Sequence, residues 1–167
     1  AHPTTFITYN SSNNDWYYSS DGDKGIFRWT TSDKEKSIYD PCPSGWRVPD
    51  GGYYGIWRVA SQENYIEESY PFDTVNKDMN FAKLFGTYNS IWYPTSGMRY
   101  ASSGSLDVDG EESAFWSATR SIDNAYALWM FYGSVHMSTD AVATYGLSVR
   151  CAQDRDVEVN VVKINNN

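Results

Sequence analysis

The sequence of 167 residues has little histidine, little cysteine and a shortage of positive charge. His2 lies at the terminus, so a Ser-His-Asp triad would depend on His136, and no Gly-x-Ser-x-Gly motif lies near it. Cys42 and Cys151 match neither a zinc-ligand spacing nor a Cys-x-x-Cys redox motif. No glycine-rich phosphate loop precedes a helical pattern. These shortages predict a protein that is not an enzyme and that holds neither a cofactor nor a metal ion.

The charge balance is acidic, with 21 Asp and Glu against 13 Lys and Arg and a net charge of −8. The cations are scattered, which argues against nucleic acid as a partner. No apolar stretch approaches the roughly 18 residues of a membrane span, so direct membrane insertion is not expected. The opening residues lack the pattern of a signal peptide, so a secreted protein would here be a mature or excised fragment. The length predicts one domain over residues 1–167.

Aromatic side chains are abundant, with 14 Tyr, 7 Trp and 7 Phe. Residues 126–132 read Tyr-Ala-Leu-Trp-Met-Phe-Tyr, without charge or breaker, and predict a strand. Alternation places Leu128 and Met130 on one face and Trp129 and Phe131 on the other, with small polar residues beyond the turn. This mixture favours a ligand-binding surface on the second face. The alternative is a strand buried on both faces, and periodicity does not separate the two.

The rest of the chain is predicted to be scaffold. Apolar patterns predict short helices at residues 55–62 and 76–85. Short strands are predicted at residues 91–94 and 97–100.

Two loops have distinctive compositions. Residues 39–49 are rich in proline and should be stiff and extended, with Trp46 and Val48 on one face directed to the core. Residues 102–113 are rich in Gly, Ser and acid, and 107–111 resemble part of a calcium loop without its spacing. An exposed acidic hairpin is the favoured interpretation.

The two cysteines allow two interpretations. A disulfide joining the two ends of the domain would contribute ~4–5 kcal/mol in the chain-entropy model. Two buried free thiols are the alternative. Neither the spacing nor the composition separates these states.

The segment 40–49, Asp-Pro-Cys-Pro-Ser-Gly-Trp-Arg-Val-Pro, resembles the opening signature of the FISUMP, or major paralogous, domain. That domain occurs at the C-termini of surface lipoproteins and fimbrillin-type pilus-tip proteins of gut bacteria. Later motifs follow in the same order, namely Trp-Tyr-Pro at 92–94, Ser-Gly-Met-Arg at 96–99, Phe-Trp-Ser-Ala-Thr at 115–119 and Gly-Leu-Ser-Val-Arg-Cys at 146–151. The resemblance covers about residues 38–152. It departs from the family at Met98 and Met130, where aromatics are more common, and in its longer tail.

The resemblance implies an α+β, C-type lectin-like fold, with two short helices, mainly antiparallel strands and long loops. It also implies that residues 1–37 are an N-terminal extension packed on this domain. In such folds the two chain ends meet, which would bring Cys42 near Cys151 and implies a disulfide. The ligand face would lie on residues 114–145. The calcium-lectin triplets Glu-Pro-Asn and Trp-Asn-Asp are absent from the sequence, so calcium-dependent sugar binding is not implied. The implied location is extracellular, on the cell surface, anchored to the outer membrane or borne on a pilus.

The function implied by the resemblance is an adhesin-like module for a protein or glycan ligand on a host or neighbouring cell. The residues expected to contact that ligand are Arg120, Ile122, Ala127, Trp129, Phe131, Tyr132, Ser134, His136, Thr139, Asp140, Thr144 and Tyr145. One alternative is a structural pilus subunit whose aromatic face docks a neighbouring subunit. Another is an enzyme similar to formylglycine-generating enzymes, which use a cysteine pair in a cleft. Cys42 and Cys151 lie in structural-looking motifs instead.

The same resemblance suggests that residues 114–150 are a variable region. Some proteins of this fold are targets of diversity-generating retroelements, which randomise adenine-bearing codons, often those of Asn. Randomised Asn codons cannot encode Lys, Glu, Gln, Trp or Met, and residues 114–150 contain no Lys, Glu or Gln. Trp129 and the methionines of the segment do not fit that origin. An ordinary strand region of accidental composition is the alternative.

Overall fold

Short antiparallel strands make up most of the described structure. A computed structural model describes residues 6, 8, 29–30, 35–60, 72–73, 78–80, 92–107, 112–121, 124–131 and 134–154. Within them lies one helix, α1 (Ile56–Ala60). The strands are β1 (Trp46–Arg47), β2 (Phe72–Asp73), β3 (Asp78–Asn80), β4 (Trp92–Pro94), β5 (Met98–Arg99), β6 (Leu106–Asp107), β7 (Glu112–Arg120), β8 (Ala125–Phe131), β9 (Ser134–Ala141) and β10 (Ala152–Gln153).

The strands form four small sheets. Their orders are β1-β10, β2-β3-β4, β5-β6 and β7-β8-β9, and neighbouring strands are antiparallel in each. The expectation of mainly antiparallel strands is therefore confirmed. Helix content is minimal in the described part of the chain, since α1 has five residues.

The helix predictions have different outcomes. Helix α1 lies inside the predicted segment 55–62. The second prediction, over residues 76–85, is wrong at Asp78–Asn80, which form β3. This strand lies between two partners, with Met79 opposite Phe72 and Tyr93. Pairing on both edges gives its backbone groups ladder partners and overrides the local helical pattern. Residues 81–85 lie outside the described residues.

The longest sheet is β7-β8-β9. Its middle strand β8 contains no charged residue, as expected of a strand covered on both sides. Register shifts interrupt the ladder between Trp116 and Arg120 on β7 and between Ala127 and Trp129 on β8. Such irregularities bend a strand and increase its twist.

One face of this sheet builds the main core. Leu128 and Met130 on β8 are 0% exposed and pack with Trp57 of α1, Phe115 and Val135. Tyr93 belongs to the same cluster, and its hydroxyl accepts a hydrogen bond from the Trp57 indole at 3.0 Å. The predicted inward direction of Leu128 and Met130 is confirmed.

The opposite face is also largely covered. Its apolar cluster includes Ala114, Trp116, Ala127 and Trp129, with Met98 packed among them. The segment after β9 returns along the outer edge of β7, where the Ser148 nitrogen donates to Ala114 O and the Ser148 carbonyl accepts from Trp116 N. Tyr145 and Leu147 of this returning segment pack against the cluster, and the burial of Ala127 and Trp129 fits the alternative of a strand buried on both faces.

The two ends of the described core are joined covalently. Cys42 and Cys151 form a disulfide with Cα atoms 5.8 Å apart and a sequence separation of 109. The adjoining strands β1 and β10 pair with Arg47 opposite Ala152. The disulfide implied by the family resemblance is therefore confirmed.

The proline-rich segment 39–49, which contains β1, is arranged differently from its prediction. Val48 is fully buried, but Trp46 is 44% exposed. Strand β1 ends at Arg47, so regular alternation does not extend from Trp46 to Val48. Trp46 is therefore not the core plug that the sequence predicted.

Residues from the N-terminal segment contact the later sheets. The Trp29 ring packs edge-on against Trp116, with ring centroids 6.1 Å apart. The Arg99 guanidinium lies over the Phe6 ring, 5.2 Å from its centroid. The wider prediction that residues 1–37 form a packed extension stays a prediction.

Candidate ligand-binding face

A row of aromatic rings begins at the end of the β7-β8-β9 sheet where β8 finishes and β9 starts. Phe131 lies between Glu112 on β7 and Ser134 on β9 in the strand register. His136 lies opposite Trp129, and its ring is 4.9 Å from that of Phe131. Phe131 and His136 are both half-buried, so part of each residue is open to solvent.

Trp129 is the buried ring of this row. It is only 9% exposed, and Tyr145 packs edge-on against it with centroids 5.5 Å apart. Its indole nitrogen donates to Glu112 Oε1 at 2.5 Å. The prediction that Trp129 faces solvent is wrong, because the segment after β9 folds Tyr145 over its ring.

Tyr100 extends the row beyond Tyr145. The two tyrosine rings are tilted with centroids 6.5 Å apart. The Tyr100 hydroxyl donates to Asp107 Oδ2 at 3.0 Å. This hydrogen bond raises the pKa of the Tyr100 hydroxyl above its ordinary value of 10.0, and burial and the negative charges of Asp107 and Glu112 raise it further. Both carboxylates therefore act on the electrostatics of Tyr100.

We call this surface the aromatic patch. Its members are Tyr100, Asp107, Glu112, Trp129, Phe131, His136 and Tyr145. The flanking strands β7 and β8 fix its position, and the hairpin β5–β6 brings Asp107 beside Tyr100. A ligand on this surface would meet ring faces and edges together with two carboxylates.

Three members of the patch were missed by the sequence prediction. Tyr100 belonged to a predicted scaffold strand, and Asp107 to a predicted acidic hairpin. Glu112 could have been found, because alternation places it on the same face of β7 as Ala114 and Trp116. Asp107 carries no such signal, since its place depends on the pairing of β6 with β5.

Another polar group lies at the far end of the sheet. Asp140 is exposed and accepts hydrogen bonds from the Ser121 hydroxyl and, at 3.0 Å, from the Asn124 amide. It lies opposite Tyr126, on the other face of the sheet from Trp129. Arg120, half-buried, ends β7 at this same end. The structure thus separates Arg120 and Asp140 from the aromatic patch.

The remaining predicted contact residues fall into three groups, which are buried, half-buried or outside the described residues. Ala127 and Thr144 are 0% and 1% exposed, so the prediction that they face a ligand is wrong. Ala127 packs inside the sheet cluster. Thr139 is half-buried opposite Ala127. The structure does not describe Ile122, Tyr132 or the side chain of Ser134, so these three predictions lie outside the described residues.

Comparison of the chain with protein-family models, with curated proteins and with solved structures found no match. Among the described residues, no group of three or more His, Cys, Asp or Glu is placed to hold a metal ion. The same residues include no helix that is long and apolar enough to cross a membrane.

Proposed function

We propose that this protein is an adhesin-like ligand-binding module of C-type lectin-like fold, displayed on a cell surface or pilus tip. The observation that carries the proposal is the aromatic patch itself. Tyr100, Tyr145, Phe131 and His136 are half-buried; the Tyr145 ring contacts those of Tyr100 and Trp129, and Phe131, which packs against the cluster of Trp129, contacts His136. Rings fixed in this way offer contact area while losing little conformational entropy on binding.

The pairing of rings with polar groups also favours recognition over simple core packing. Glu112 and Asp107 accept hydrogen bonds from Trp129 and Tyr100 at the edge of the ring cluster. Centres of binding interfaces are enriched in Tyr and Trp, and their rims are polar. The patch has this composition.

An extracellular location is part of the proposal. The Cys42–Cys151 disulfide supports it, because such bonds persist in oxidising compartments and are rare in the cytosol. The same bond weakens the alternative of an enzyme with a reactive cysteine pair, since both sulfurs are held in a structural link beside the β1–β10 ladder.

We further propose that residues 114–150 vary between related genes through a diversity-generating retroelement. Phe131, His136 and Tyr145 are partly open to solvent, where substitutions are tolerated, while Leu128 and Val135 fill the core. Ala127 and Thr144 are buried and depart from this pattern. The test is the gene neighbourhood. A near-copy template repeat and a reverse-transcriptase gene are expected there, and the absence of both would exclude this mechanism.

The binding function is tested with a matched pair of double variants. Phe131→Ala/Tyr145→Ala removes two rings of the patch, and Tyr53→Ala/Tyr54→Ala removes two exposed rings elsewhere. Wild type and both variants are compared on glycan arrays, on protein arrays and on host cells. Removal of the patch rings should weaken binding of any captured ligand about tenfold or more, as expected for interface hot spots. The Tyr53/Tyr54 variant should bind as wild type does.

Two results would contradict this proposal. If the folded Phe131→Ala/Tyr145→Ala variant binds the ligand as tightly as wild type does, the patch does not take part in recognition. Self-association that depends on Phe131 and Tyr145, without an external ligand, would instead support the structural pilus subunit.

A further inference from the structure

The backbone pairing that carries Tyr100 and Tyr145 has a second side. Arg99 and Gly146 form an antiparallel bridge through two backbone hydrogen bonds, of 2.8 Å and 3.0 Å. This register places Tyr100 opposite Tyr145, and their ring centroids lie 6.5 Å apart. Alternation directs positions 99 and 146 to the other side of the pairing. The tyrosine pair of the aromatic patch therefore shares its backbone with a second surface, at Arg99 and Gly146.

The ring of Phe6 covers this second surface. It is half-buried, and the Arg99 guanidinium lies over it, 5.2 Å from the ring centroid. A Cβ added to Gly146 would lie 3.0 Å from Phe6 Cε2, and one added to Gly104 would lie 3.3 Å from Phe6 Cδ1. The ring thus lies directly against the backbone of both glycines. We call this seat, formed by Arg99, Gly104 and Gly146, the Phe6 slot.

The composition of the Phe6 slot fits an aromatic side chain. The described glycines with positive φ include Gly104 but not Gly146, so the backbone conformation does not require glycine at position 146. A Cβ there would lie 2.9 Å from Arg99 Cβ and 3.0 Å from Phe6 Cε2, so the missing side chain gives room to these two neighbours. The Arg99 guanidinium also donates to the Gly104 carbonyl, and a cation over a ring face is a favourable contact.

We propose that Phe6 is a positioning residue for the aromatic patch, and that its seat in the Phe6 slot holds Tyr100 opposite Tyr145. With Phe6 in place, the bridge is packed on both sides. When Phe6 leaves, Gly146 has no side chain of its own to cover the outer side. The Tyr145 ring then loses part of the support that fixes it edge-on against Trp129. This inference rests on the proposed binding function and makes the segment around Phe6 a control element of that same site.

Release of Phe6 from the slot is a local opening. Such openings require less free energy than global unfolding, and a half-buried ring is a natural place for one. The coupling between the slot and the patch is reciprocal. A ligand that holds the tyrosine pair also holds Phe6 in its slot, and release of Phe6 lowers the affinity for that ligand by the same factor.

The test uses the complete chain without ligand and compares Phe6→Ala with Thr8→Ala, a change at an exposed residue of the same segment. One readout is the NMR signal of the Trp129 indole N–H, assigned through its loss in Trp129→Phe. The other is hydrogen exchange of the Gly146 amide, which donates to the Arg99 carbonyl at 3.0 Å. Phe6→Ala should move the Trp129 signal and speed Gly146 exchange about tenfold, because the bridge opens more easily. Thr8→Ala should change neither readout.

A second variant disturbs the slot from its other wall. In Gly104→Ala the new Cβ would lie 3.3 Å from Phe6 Cδ1 and 3.2 Å from Thr8 Cγ2, and should displace the ring. Gly45→Ala is the matched control, since its φ of +76° is close to the +69° of Gly104 but its Cβ would meet nothing within 4 Å. Gly104→Ala should speed Gly146 exchange and Gly45→Ala should not. In a Phe6→Ala background, Gly104→Ala should have little further effect, because both changes act on one contact.

Contrary outcomes overturn the inference. An unchanged Trp129 signal and unchanged Gly146 exchange in folded Phe6→Ala would show that Phe6 covers the slot without supporting the patch. If Phe6→Ala does not fold, the comparison of Gly104→Ala with Gly45→Ala decides the matter alone. Fully additive effects of Phe6→Ala and Gly104→Ala would assign the second effect to backbone strain rather than to the ring.

The proposed function is tested separately from this coupling. The NMR and exchange readouts need no ligand, so the coupling can fail while the arrays still show binding through Phe131 and Tyr145. On the same glycan arrays, protein arrays and host cells, Phe6→Ala should bind more weakly than Thr8→Ala. Equal binding by these two variants would overturn the control of the patch by Phe6 and leave the binding function standing.

Discussion

The Trp129 indole nitrogen on β8 donates a hydrogen bond to Glu112 Oε1 on β7 at 2.5 Å. The bond is diagonal, because the register places Trp129 opposite Ala114, two residues beyond Glu112. Diagonal neighbours on one face of an antiparallel pair lie within reach of long and aromatic side chains. The bond fixes the ring that supports Tyr145 and Phe131, so the patch depends on a buried side chain that is not itself exposed to ligand.

Trp129→Phe should therefore destabilise the protein by about 1–2 kcal/mol, since the buried indole contacts and the hydrogen bond to Glu112 are lost together. Urea unfolding measures this change. Glu112→Gln is the matched variant and should cost less, because the amide oxygen can still accept from the indole. A larger loss for Glu112→Gln than for Trp129→Phe would contradict the assigned role of the ring.

Asp40 should be the most sensitive carboxylate near the disulfide. Its side chain is fully buried, and its two oxygens accept the backbone N–H groups of Cys42 at 2.8 Å and Val48 at 2.9 Å. Asp40→Ala would leave two buried donors unsatisfied and should cost about 3 kcal/mol. Thermal or urea unfolding of the oxidised protein measures it.

Asp50 provides the control for this prediction. Its carboxylate pairs with Arg47 at 2.7 Å, but its side chain is 40% exposed. Asp50→Asn should cost no more than about 1 kcal/mol, as surface ion pairs do. Equal losses at Asp40 and Asp50 would show that the buried backbone contacts of Asp40 contribute little.

The sequence was sufficient where local pattern decides the structure. The alternation in β8 correctly placed Leu128 and Met130 together on a core face, because successive side chains of a strand point to opposite faces. The same alternation was insufficient for Trp129. Burial of its ring depends on Tyr145, which arrives through pairing between Ser148 and β7. Periodicity describes one strand and not what later covers it.

Two other differences have the same origin. Residues 78–80 carry a weak helical pattern but form β3, because β2 and β4 pair with both of its edges. Asp107 joins the candidate site because β6 pairs with β5 next to Tyr100. These pairings depend on the register between strands, which the propensity of a single segment does not encode.

Alkaline pH should lower the free energy of unfolding, because the Tyr100 hydroxyl then loses its proton. The hydrogen bond to Asp107 raises the pKa of its hydroxyl above 10.0, so the folded protein keeps a proton that the unfolded chain releases first. The stabilisation is complete below about pH 10 and is lost as pH rises through the folded-state pKa. Unfolding free energies measured against pH should therefore decline more steeply in wild type than in Tyr100→Phe.

A second variant separates the causes of this pKa shift. Asp107→Asn removes the charged acceptor, so phenolate absorbance should show Tyr100 titrating closer to its ordinary pKa. Tyr93 has a pKa raised chiefly by burial and should keep its late titration in this variant. An unchanged titration curve in Asp107→Asn would refute the assigned role of the carboxylate.

Gly55, at the start of α1, should tolerate no side chain. A Cβ at this position would lie 2.5 Å from the Gly51 carbonyl carbon and 2.6 Å from the Asp50 oxygen. Those atoms are backbone and cannot rotate away, and Asp50 O already accepts from Ile56 N at 3.0 Å. Gly55→Ala should displace α1 and the core residue Trp57 and cost about 2–3 kcal/mol.

Gly45→Ala separates this steric effect from backbone strain. Gly45 has a φ of +76°, yet a Cβ there would meet nothing within 4 Å. Its substitution should cost about 1–2 kcal/mol, the penalty of a left-handed conformation alone. Urea unfolding of both variants, together with near-ultraviolet circular dichroism of Trp57, measures the difference. If Gly55→Ala were the milder change, the close backbone approach would not limit this position, and α1 would have room to move away from the 50–52 turn.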